Sequence, residues 1–258
     1  MSEILFQTEG AIGWLTFNRP EQRNAMTFEM YDGLLEVCDQ VDSNPAIRVL
    51  VLRGAGKTFV AGTDIAQFRA VKTAEDALAY EARIDKVLDR LERVRCATIA
   101  QVQGVAAGGG CGIAIACDMR IATPDARFGV PIARTLGNCL SMATCARLVD
   151  MIGPARTKAL ILTATLMNAG DALSAGLVSE IVPENEIEQV VGERALTIAG
   201  HAPLTIRSAK EMIRRIQAAR RPRPEEGQDL ITMCYTSQDF REGIEAFLAK
   251  RRPQWQGQ

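Results

Sequence analysis

The chain has little of what many catalytic and metal sites require. Its single histidine, His201, lies in TIAGHAPL, where a helix is predicted to end, so we expect capping or surface exposure and no histidine-based triad. Its seven cysteines are odd in number and form no C-x-x-C pair, which argues against a disulfide framework and a zinc site. We expect them to be small, buried apolar side chains.

Charge and hydrophobicity exclude further classes. The net charge is −1, without the clustered lysine and arginine that binding to nucleic acid or an anionic membrane requires. No apolar run approaches the roughly 18 residues of a membrane span, and the opening MSEILFQTEG is too polar for a secretory signal. We therefore expect a cytoplasmic protein that crosses no membrane. With 47% hydrophobic residues, the chain can bury the large core of one globular domain.

Strand and helix patterns alternate along the first half of the chain. Six segments are predicted as strands: 12–17, 48–54, 98–104, 119–123, 126–130 and 176–182. Helices are predicted from an N-cap at Thr27 and from Thr73 to about Val94. From about residue 140 onward helices dominate, and RRPRPEEG (220–227) is predicted to be a loose joint.

The stretch AAGGGCGIAIACD (106–118) contains four glycines in a segment that otherwise favours a helix. Each glycine inside a helix costs about 0.5–1 kcal/mol relative to alanine, so we expect either tight helix packing or a ligand to approach this backbone closely. The spacing does not fit the dinucleotide fingerprint G-x-G-x-x-G. A competing stretch, VLVLRGAGKTF (49–59), ends like a phosphate-binding loop but has Val51 where that loop needs its first glycine.

Two strand ends together favour an oxyanion hole. FVAGTDI (59–65) and QGVAAGGG (103–110) can each offer a free backbone N–H, the second at a helix N-terminus, where the first donors are unpaired. Two converging N–H groups stabilise negative charge on an acyl or thioester oxygen, and one such donor contributes ~3–4 kcal/mol in the transition state. Glycine suits this place because the substrate oxygen must reach the backbone itself.

These segments resemble the enoyl-CoA hydratase/isomerase (crotonase) family. The motifs that carry the resemblance run in order from about residue 3 to 256: TFNRPEQRNAM, FVAGTDI, VQGVAAGGGCGIAIACDMRIAT, ARFGVP, GLVSEIVP and DFREGIEAFLAKRRPQW. The resemblance implies an α/β fold, a crotonase-like spiral of strand-strand-helix repeats over residues 1–200. It implies a C-terminal helical region, residues 201–258, through which chains associate as trimers or hexamers. It also implies an acyl-coenzyme A substrate, with no metal and no permanently bound cofactor.

The resemblance assigns roles to single positions. The oxyanion donors fall on the backbone N–H groups of Thr63 and Gly109. Together with these donors, we expect the following positions to contact the thioester or its coenzyme A: Arg23, Ala61, Asp64, Ile65, Gly108, Gly112, Ile132, Asn138 and Lys250. Arg251 is an alternative to Lys250 at the nucleotide phosphates, and both residues could equally be solvated charges of a terminal helix.

Two positions depart from the pattern of the family's hydratases. Gly112 stands where they have a glutamate, three residues after the oxyanion glycine and on the same helix face. Ile132 stands where a second glutamate follows the proline of the FGxP motif. In the family these carboxylates activate water and move its proton, and isomerases keep at least the second as a base. The substitutions therefore argue against ordinary hydration of a straight-chain enoyl-CoA.

The segment after the FG pair offers other polar groups in place of the carboxylates: Arg134, Thr135, Asn138, Cys139 and Ser141. Arg134 is a permanent cation, so it could hold a substrate carboxylate by a bidentate pair, or else pair with a structural acid. A carboxylated substrate would allow decarboxylation or C–C cleavage, in which the leaving group supplies the electrons and no base is needed. Cys139 has no visible base to activate it as a nucleophile.

Three functions stay open from the sequence. The first is an acyl-CoA enzyme that stabilises a thioester enolate in chemistry of the hydration or isomerisation type. The second is a decarboxylase, C–C lyase or thioester hydrolase for a carboxylated acyl-CoA, and the third is a non-catalytic acyl-CoA-binding subunit. We expect a structural role for Asp118, packing for Tyr235 with a phenolic donor as the alternative, and an apolar acyl pocket near Met142.

Overall fold

Nine strands build two sheets within residues 2–258, the part of the chain that the computed structural model describes. They are β1 (Ile4–Glu9), β2 (Ile12–Phe17), β3 (Val49–Gly54), β4 (Ala97–Val102), β5 (Val105–Ala107), β6 (Met119–Ala122), β7 (Arg127–Gly129), β8 (Met167–Asn168) and β9 (Glu180–Ile181). The larger sheet has the order β1-β2-β3-β4-β6-β9, with β1 antiparallel to β2 and the other pairs parallel. The smaller sheet has the order β5-β7-β8. Strands β1 to β4 all lie in the larger sheet, and from β4 to β7 successive strands enter the larger and the smaller sheet in turn.

Ten helices surround the sheets in residues 2–258: α1 (Phe28–Ser43), α2 (Ala74–Glu92), α3 (Gly109–Ala116), α4 (Ile132–Thr135), α5 (Met142–Thr163), α6 (Ala169–Ser174), α7 (Ile187–Ala199), α8 (Pro203–Ala218), α9 (Gln228–Tyr235) and α10 (Gln238–Leu248). The predicted N-cap at Thr27 and the predicted helix start at Thr73 are confirmed. Thr27 Oγ1 accepts the N–H of Met30 at 3.2 Å, and Thr73 forms a reciprocal capping box with Asp76. Helix α5 consists of two segments because Gly153 has a φ of 77°.

The late strand is shorter than the sequence predicts. In the segment 176–182, Glu180–Ile181 is the extended part. Gly176 has a φ of 77°, and the next two backbone N–H groups both donate to the carbonyl oxygen of Ala172, at 2.9 and 3.1 Å. The first half of the segment therefore closes the end of α6 and cannot pair with the sheet.

The prediction of a loose joint at 220–227 is wrong. The guanidinium of Arg221 donates to both carboxylate oxygens of Glu92, at 2.7 and 2.8 Å, and Pro224–Gly227 forms a 3-10 turn. Glu92 also accepts Nε of Arg147 at 2.9 Å, from a side chain that is almost fully buried. The joint is thus fixed to the end of α2. Its proline and arginine content suggested a linker because the distant carboxylate partner cannot be read from local composition.

The larger sheet is buried on both faces. In β3, Leu50 and Leu52 belong to the main core, which is built with α1, α2 and α3. Val49 and Val51 belong to a second core, which α7 covers on the opposite face. All four side chains are fully buried. The continuous apolar run of this strand is therefore explained by its two covered faces.

The cysteines divide into two groups. Four are buried, as expected from the sequence: Cys38, Cys96, Cys111 and Cys117. The other three are half-buried: Cys139, Cys145 and Cys234. All seven thiols are free in the described part of the chain, so packing rather than cross-linking accounts for them.

The C-terminal helices fold back over the body of the chain. Helix α9 packs against α2, and α10 packs against the 3-10 turn Ile65–Ala70. Phe68 of that turn joins Tyr235 and Phe240 in a third apolar cluster. Helix α8 has no buried residue and leaves Leu204 and several other apolar side chains exposed. Within residues 2–258, no helix is long and apolar enough to cross a membrane.

We predict that an alanine at Gly110 destabilises the fold. A Cβ there would lie 2.1 Å from Val60 O and 2.7 Å from Val60 Cβ, so Gly110→Ala should lower the free energy of unfolding by about 1–3 kcal/mol. Gly192 in α7 is a matched control, because its Cβ would meet nothing within 4 Å. Gly192→Ala should raise the free energy of unfolding by about 0.5–1 kcal/mol. Urea denaturation measures both changes, and a Gly110→Ala variant as stable as the parent would contradict the packing.

Candidate active site

Two chain segments lie side by side in parallel at the candidate site. The N–H of Val60 donates to Val105 O at 3.1 Å, and the N–H of Ala107 donates to Val60 O at 3.0 Å. These bonds pair Val60 with Ala106. Continued for three residues, this register places Thr63 opposite Gly109. The two positions are close in space, since a Cβ built on Gly109 would lie 3.1 Å from the Oγ1 of Thr63.

The backbone N–H groups of Thr63 and Gly109 donate no hydrogen bond to any atom of residues 2–258. Gly62 O and the N–H of Asp64 both pair with Met26, so the N–H of Thr63 between them points the other way. Gly109 is the first residue of α3, where an N–H has no partner within the helix. The structure therefore offers two adjacent free donors at the positions that the sequence predicted.

The glycines of this segment serve different purposes. Gly108 combines a φ of 51° with an N–H that donates to Gly129 O at 2.9 Å, so it turns the chain and its own N–H is already used. The place of a Cβ on Gly109 is occupied by the hydroxyl of Tyr31, 2.1 Å away. Gly110 allows α3 to pack closely on the neighbouring backbone. Both readings of the glycine run, close packing and an accessible backbone, hold at different positions.

Two tyrosine hydroxyls flank the free donors. Thr63 Oγ1 shares hydrogen bonds with Tyr31 OH at 2.8 Å and with Tyr80 OH at 3.0 Å. Burial raises the pKa of Tyr31 and of Tyr80 well above the ordinary value, so both phenols stay neutral near pH 7. The sequence analysis did not find these residues, since tyrosines on the buried face of a helix cannot be told from ordinary core side chains.

The two positions that lack a glutamate are apolar in the structure. A Cβ on Gly112 would lie 3.2 Å from Leu88 Cδ1 of α2. Ile132 is buried at the start of α4. Neither position carries a group that could activate a water molecule.

A buried carboxyl group lies nearby on α2. Glu81 is 6% exposed and forms a short hydrogen bond with the hydroxyl of Tyr235, which also receives a bond of 3.0 Å from Asn138 Nδ2. Burial raises the pKa of the Glu81 carboxyl to about 8, against the opposing effect of the Tyr235 hydrogen bond. Tyr235 is packed, as expected. Sequence analysis missed Glu81.

Some of the residues expected to contact coenzyme A already form hydrogen bonds within the protein. The N–H of Ala61 donates to the backbone oxygen of Arg23 at 3.1 Å, which brings these two predicted positions together. The carboxylate of Asp64 accepts Arg19 at 3.1 Å and caps the turn that begins at Ile65, a half-buried residue of the third apolar cluster. The side chain of Arg23 is exposed. Of this group, Arg23 is the one with a free charged head group in the described structure.

The two basic residues after α10 differ. Lys250 is exposed and has a φ of 54°, just beyond the helix that packs on the Ile65–Ala70 turn. Arg251 donates to the Glu242 carboxylate at 2.7 Å. Lys250 is therefore the freer of the two alternatives for contact with an anion.

Arg134 is exposed on α4, the short helix that begins with Ile132. Its guanidinium forms no ion pair with a carboxylate of residues 2–258, so a structural acid for it is not found in the described structure. Of the other polar groups nearby, Thr135 Oγ1 donates to Pro131 O at 3.0 Å and Ser141 Oγ donates to Asp85 at 2.7 Å. Arg134 alone among these three side chains is free to meet a ligand.

Cys139 is not set up as a nucleophile. Contact with the thiol of Cys234 and burial raise the pKa of the Cys139 thiol, so it stays protonated near pH 7. Met142 packs against the start of α9, where a Cβ on Gly227 would lie 2.4 Å from its Cγ.

Asp118 and His201 form hydrogen bonds that connect elements of the fold. Asp118 accepts the N–H of Thr98 and the Nζ of Lys210, both at 2.7 Å, which ties the end of α3 to β4 and α8. His201 is exposed just beyond α7, and its backbone oxygen accepts Arg48 at 2.6 Å. Among the described residues, neither side chain forms a hydrogen bond with Thr63 or Gly109.

Comparison with known proteins agrees with this geometry. The family model described as enoyl-CoA hydratase/isomerase matches residues 7–258. The chain belongs to the enoyl-CoA hydratase/isomerase family. It is 34% identical over 256 residues to a "Probable enoyl-CoA hydratase" of Mycobacterium bovis, covering 98% of this chain and 97% of the relative. It is 35% identical over 254 residues to the crotonyl-CoA hydratase of Syntrophomonas wolfei, covering 96% of each.

A solved structure of similar fold superposes along the whole chain. The structure of methylmalonyl-CoA decarboxylase in complex with 2-nitronate-propionyl-CoA has a TM-score of 0.91 and 27% identity, and covers 100% of this chain and 99% of that chain. Relatives with different printed activities thus share one fold. Membership makes this chain a crotonase-fold enzyme, and its reaction has to be argued from its own side chains.

We predict energetic coupling between Gly109 and Tyr31. Gly109→Ala should lower the free energy of unfolding by about 1–3 kcal/mol, because the new Cβ meets the phenol oxygen at 2.1 Å. Tyr31→Phe alone should cost about 1 kcal/mol through its lost bond to Thr63. In the double variant the clashing oxygen is gone. Its loss of unfolding free energy should therefore be smaller than the sum of the two single losses by at least about 1 kcal/mol. Urea denaturation of the four proteins gives the cycle, and strictly additive effects would rule the contact out.

Proposed function

We propose that this protein acts on acyl-coenzyme A thioesters and stabilises a thioester enolate, with the carbonyl oxygen held by the backbone N–H groups of Thr63 and Gly109. The proposal is carried by the two adjacent donors, which have no partner within residues 2–258. Each such donor is worth ~3–4 kcal/mol as charge develops on the oxygen. The printed names of the relatives, which are hydratases and a decarboxylase of CoA thioesters, support the substrate class.

Coenzyme A would enter as part of the substrate, with no other cofactor required. We propose that its pantetheine follows the Ala61–Ile65 segment, past Gly108 and Asp64, while Arg23 and Lys250 meet its phosphates. Both basic side chains are exposed and form no ion pair with an acid of the described residues. We further propose a homotrimer or hexamer built through residues 201–258, supported by the exposed apolar side chains of α8.

The first candidate reaction is enolate chemistry of the hydration or isomerisation type. Such a reaction must add or move a proton, and Gly112 and Ile132 leave the usual carboxylate positions apolar. Water activation would therefore lack its usual base. Proton movement along an acyl chain would need a different group.

The second candidate reaction is decarboxylation or C–C cleavage of a carboxylated acyl-CoA. The observation that favours it is the exposed guanidinium of Arg134, which no acid of the described residues pairs with and which shares α4 with Ile132. In a decarboxylation the breaking C–C bond delivers its electron pair into the thioester carbonyl, so the oxyanion donors suffice and no base is needed. The enolate then takes up one proton at its α-carbon. Hydrolysis of the thioester is a further variant, recognised by free coenzyme A as product.

Mass spectrometry of acyl-CoAs incubated with the protein in deuterated water tests the proposal. A panel of saturated, unsaturated and carboxylated thioesters should contain one that gains deuterium at the α-carbon or changes mass by water, carbon dioxide or chain cleavage. Thioesters that bind tightly and stay unchanged would instead identify a non-catalytic acyl-CoA-binding subunit. Absence of both binding and turnover across the panel would refute the substrate class.

We predict that Arg134 selects carboxylated substrates. A charge-assisted hydrogen bond contributes about 1.5–3 kcal/mol, so Arg134→Ala should raise KM for a carboxylated acyl-CoA about 10- to 150-fold. KM for the matching uncharged thioester should change less than about twofold. Arg156→Ala is the control, since Arg156 is another exposed arginine in the same half of the chain. Steady-state kinetics with both substrates decide the point, and equal changes for both would exclude this role.

A further inference from the structure

The carboxyl group of Glu81 is buried on the apolar face of α2. It is 6% exposed, and it forms no ion pair with a lysine or arginine of residues 2–258. An ionised carboxylate without a cation is costly to bury, so the group stays neutral near pH 7. Its neighbours along the buried face of α2 are apolar, among them Ala77, Ile84 and Leu88. Apolar packing alone would favour another aliphatic residue at this position.

The carboxyl lies against a packed aromatic cluster that contains one polar atom without a partner. Tyr235 OH bonds to Glu81 and accepts Asn138 Nδ2 at 3.0 Å. The rings of Phe240 and Tyr80 lie 4.7 and 6.0 Å from the Tyr235 ring, measured between centroids. The Oδ1 of Asn138 is buried and has no hydrogen-bond partner in the described structure. A buried free acceptor beside a phenol indicates a place for a ligand group.

This aromatic cluster adjoins the free backbone donors. Tyr80 precedes Glu81 on α2, and its hydroxyl lies 3.0 Å from Thr63 Oγ1. The width of one aromatic ring thus separates the Glu81–Tyr235 pair from the proposed oxyanion site. Asn138 belongs to the loop that follows α4, the helix on which Ile132 replaces a family carboxylate. The pair is therefore close to where the usual acid and base are missing.

We propose that Tyr235 and Glu81 together supply the proton-transfer group of this site, with Tyr235 in contact with the acyl portion and Glu81 acting through it as the positioning residue. This inference rests on the proposed function. The enolate electron pair forms the new Cα–H bond with the Tyr235 proton as that O–H bond breaks. The phenol oxygen takes the proton of Glu81, whose carboxylate then regains one from water. The reverse sequence removes an α-proton when Glu81 is ionised.

The ionisation of Glu81 should make the rate of α-hydrogen exchange depend on pH. The titratable side chains that face it are Asp85 and Tyr80 on α2, Tyr235 on α9, Cys139 before α5, Cys145 on α5 and Tyr31 on α1. Burial, with a smaller contribution from Asp85, raises the pKa of Glu81 to about 8. At pH 7 roughly nine-tenths of the carboxyl is protonated, and at pH 9 roughly nine-tenths is ionised. Removal of an α-proton should therefore speed up about tenfold between pH 7 and 9.

The test is α-hydrogen exchange of propionyl-CoA in deuterated water, followed by mass spectrometry. Glu81→Gln and Tyr235→Phe should each slow exchange at least about 100-fold, and the double variant should be no slower than either single one, because the two residues act as a unit. The tenfold rise with pH should disappear in Glu81→Gln. Glu75→Gln is the matched control, an exposed acid on the same helix, and should change the rate less than about threefold. Exchange at the wild-type rate in both single variants would overturn the proposal.

Binding of 2-nitronate-propionyl-CoA separates this inference from the proposed function. The nitronate resembles an enolate, so wild type and Glu81→Gln should bind it within about threefold of each other if the oxyanion donors are intact. Wild-type binding without any exchange would overturn proton transfer by Tyr235 while the donor pair stands. No binding by wild type would overturn the donor pair and this inference with it. If Glu81→Gln does not fold, as judged by circular dichroism, Tyr235→Phe decides by itself.

Discussion

The candidate site depends on the pairing of two backbone segments through Val60. The hydrogen bonds from Val60 to Val105 and from Ala107 to Val60 fix the register of the two segments. Three residues later the chain on one side reaches Thr63, and on the other side α3 begins at Gly109. A shift of one residue in this register would turn the donor N–H groups apart. The close approach of Gly110 to Val60 holds the register, so packing and site geometry depend on the same contact.

The donor pair could be predicted from sequence because strand ends and a glycine-rich helix start leave a local signal. The tyrosines and the buried acid could not, because their roles depend on which faces of α1, α2 and α9 meet. One signal for Glu81 was present in the sequence, since it falls on the apolar stripe of α2 together with Ala77, Ile84 and Leu88. The antiparallel edge strand β1 was missed for a related reason, because most of its side chains are exposed and it lacks the apolar run of a buried strand.

In the proposed mechanism the acid of this site comes from α2 and not from α3. The resemblance to the family's hydratases implies a carboxylate where Gly112 stands, and here that position faces Leu88. The buried carboxyl group near the candidate site is that of Glu81, two helical turns from Leu88 on the same helix. An acid in this position is set back from the free donors by the ring of Tyr80, so it reaches a substrate through a second hydroxyl. Such an arrangement suits delivery of a proton to carbon better than activation of a water molecule.

That second hydroxyl comes from the C-terminal region, which gives the helices after residue 200 a chemical role. Tyr235 ends α9, and it packs between Phe240 of α10 and Tyr80 of the core. The acid in the core and the phenol on α9 meet because α9 packs against α2, so this packing completes the proposed proton-transfer pair. The same packing excludes water from Glu81, and this desolvation raises the pKa of its carboxyl into the range where it can both hold and release a proton.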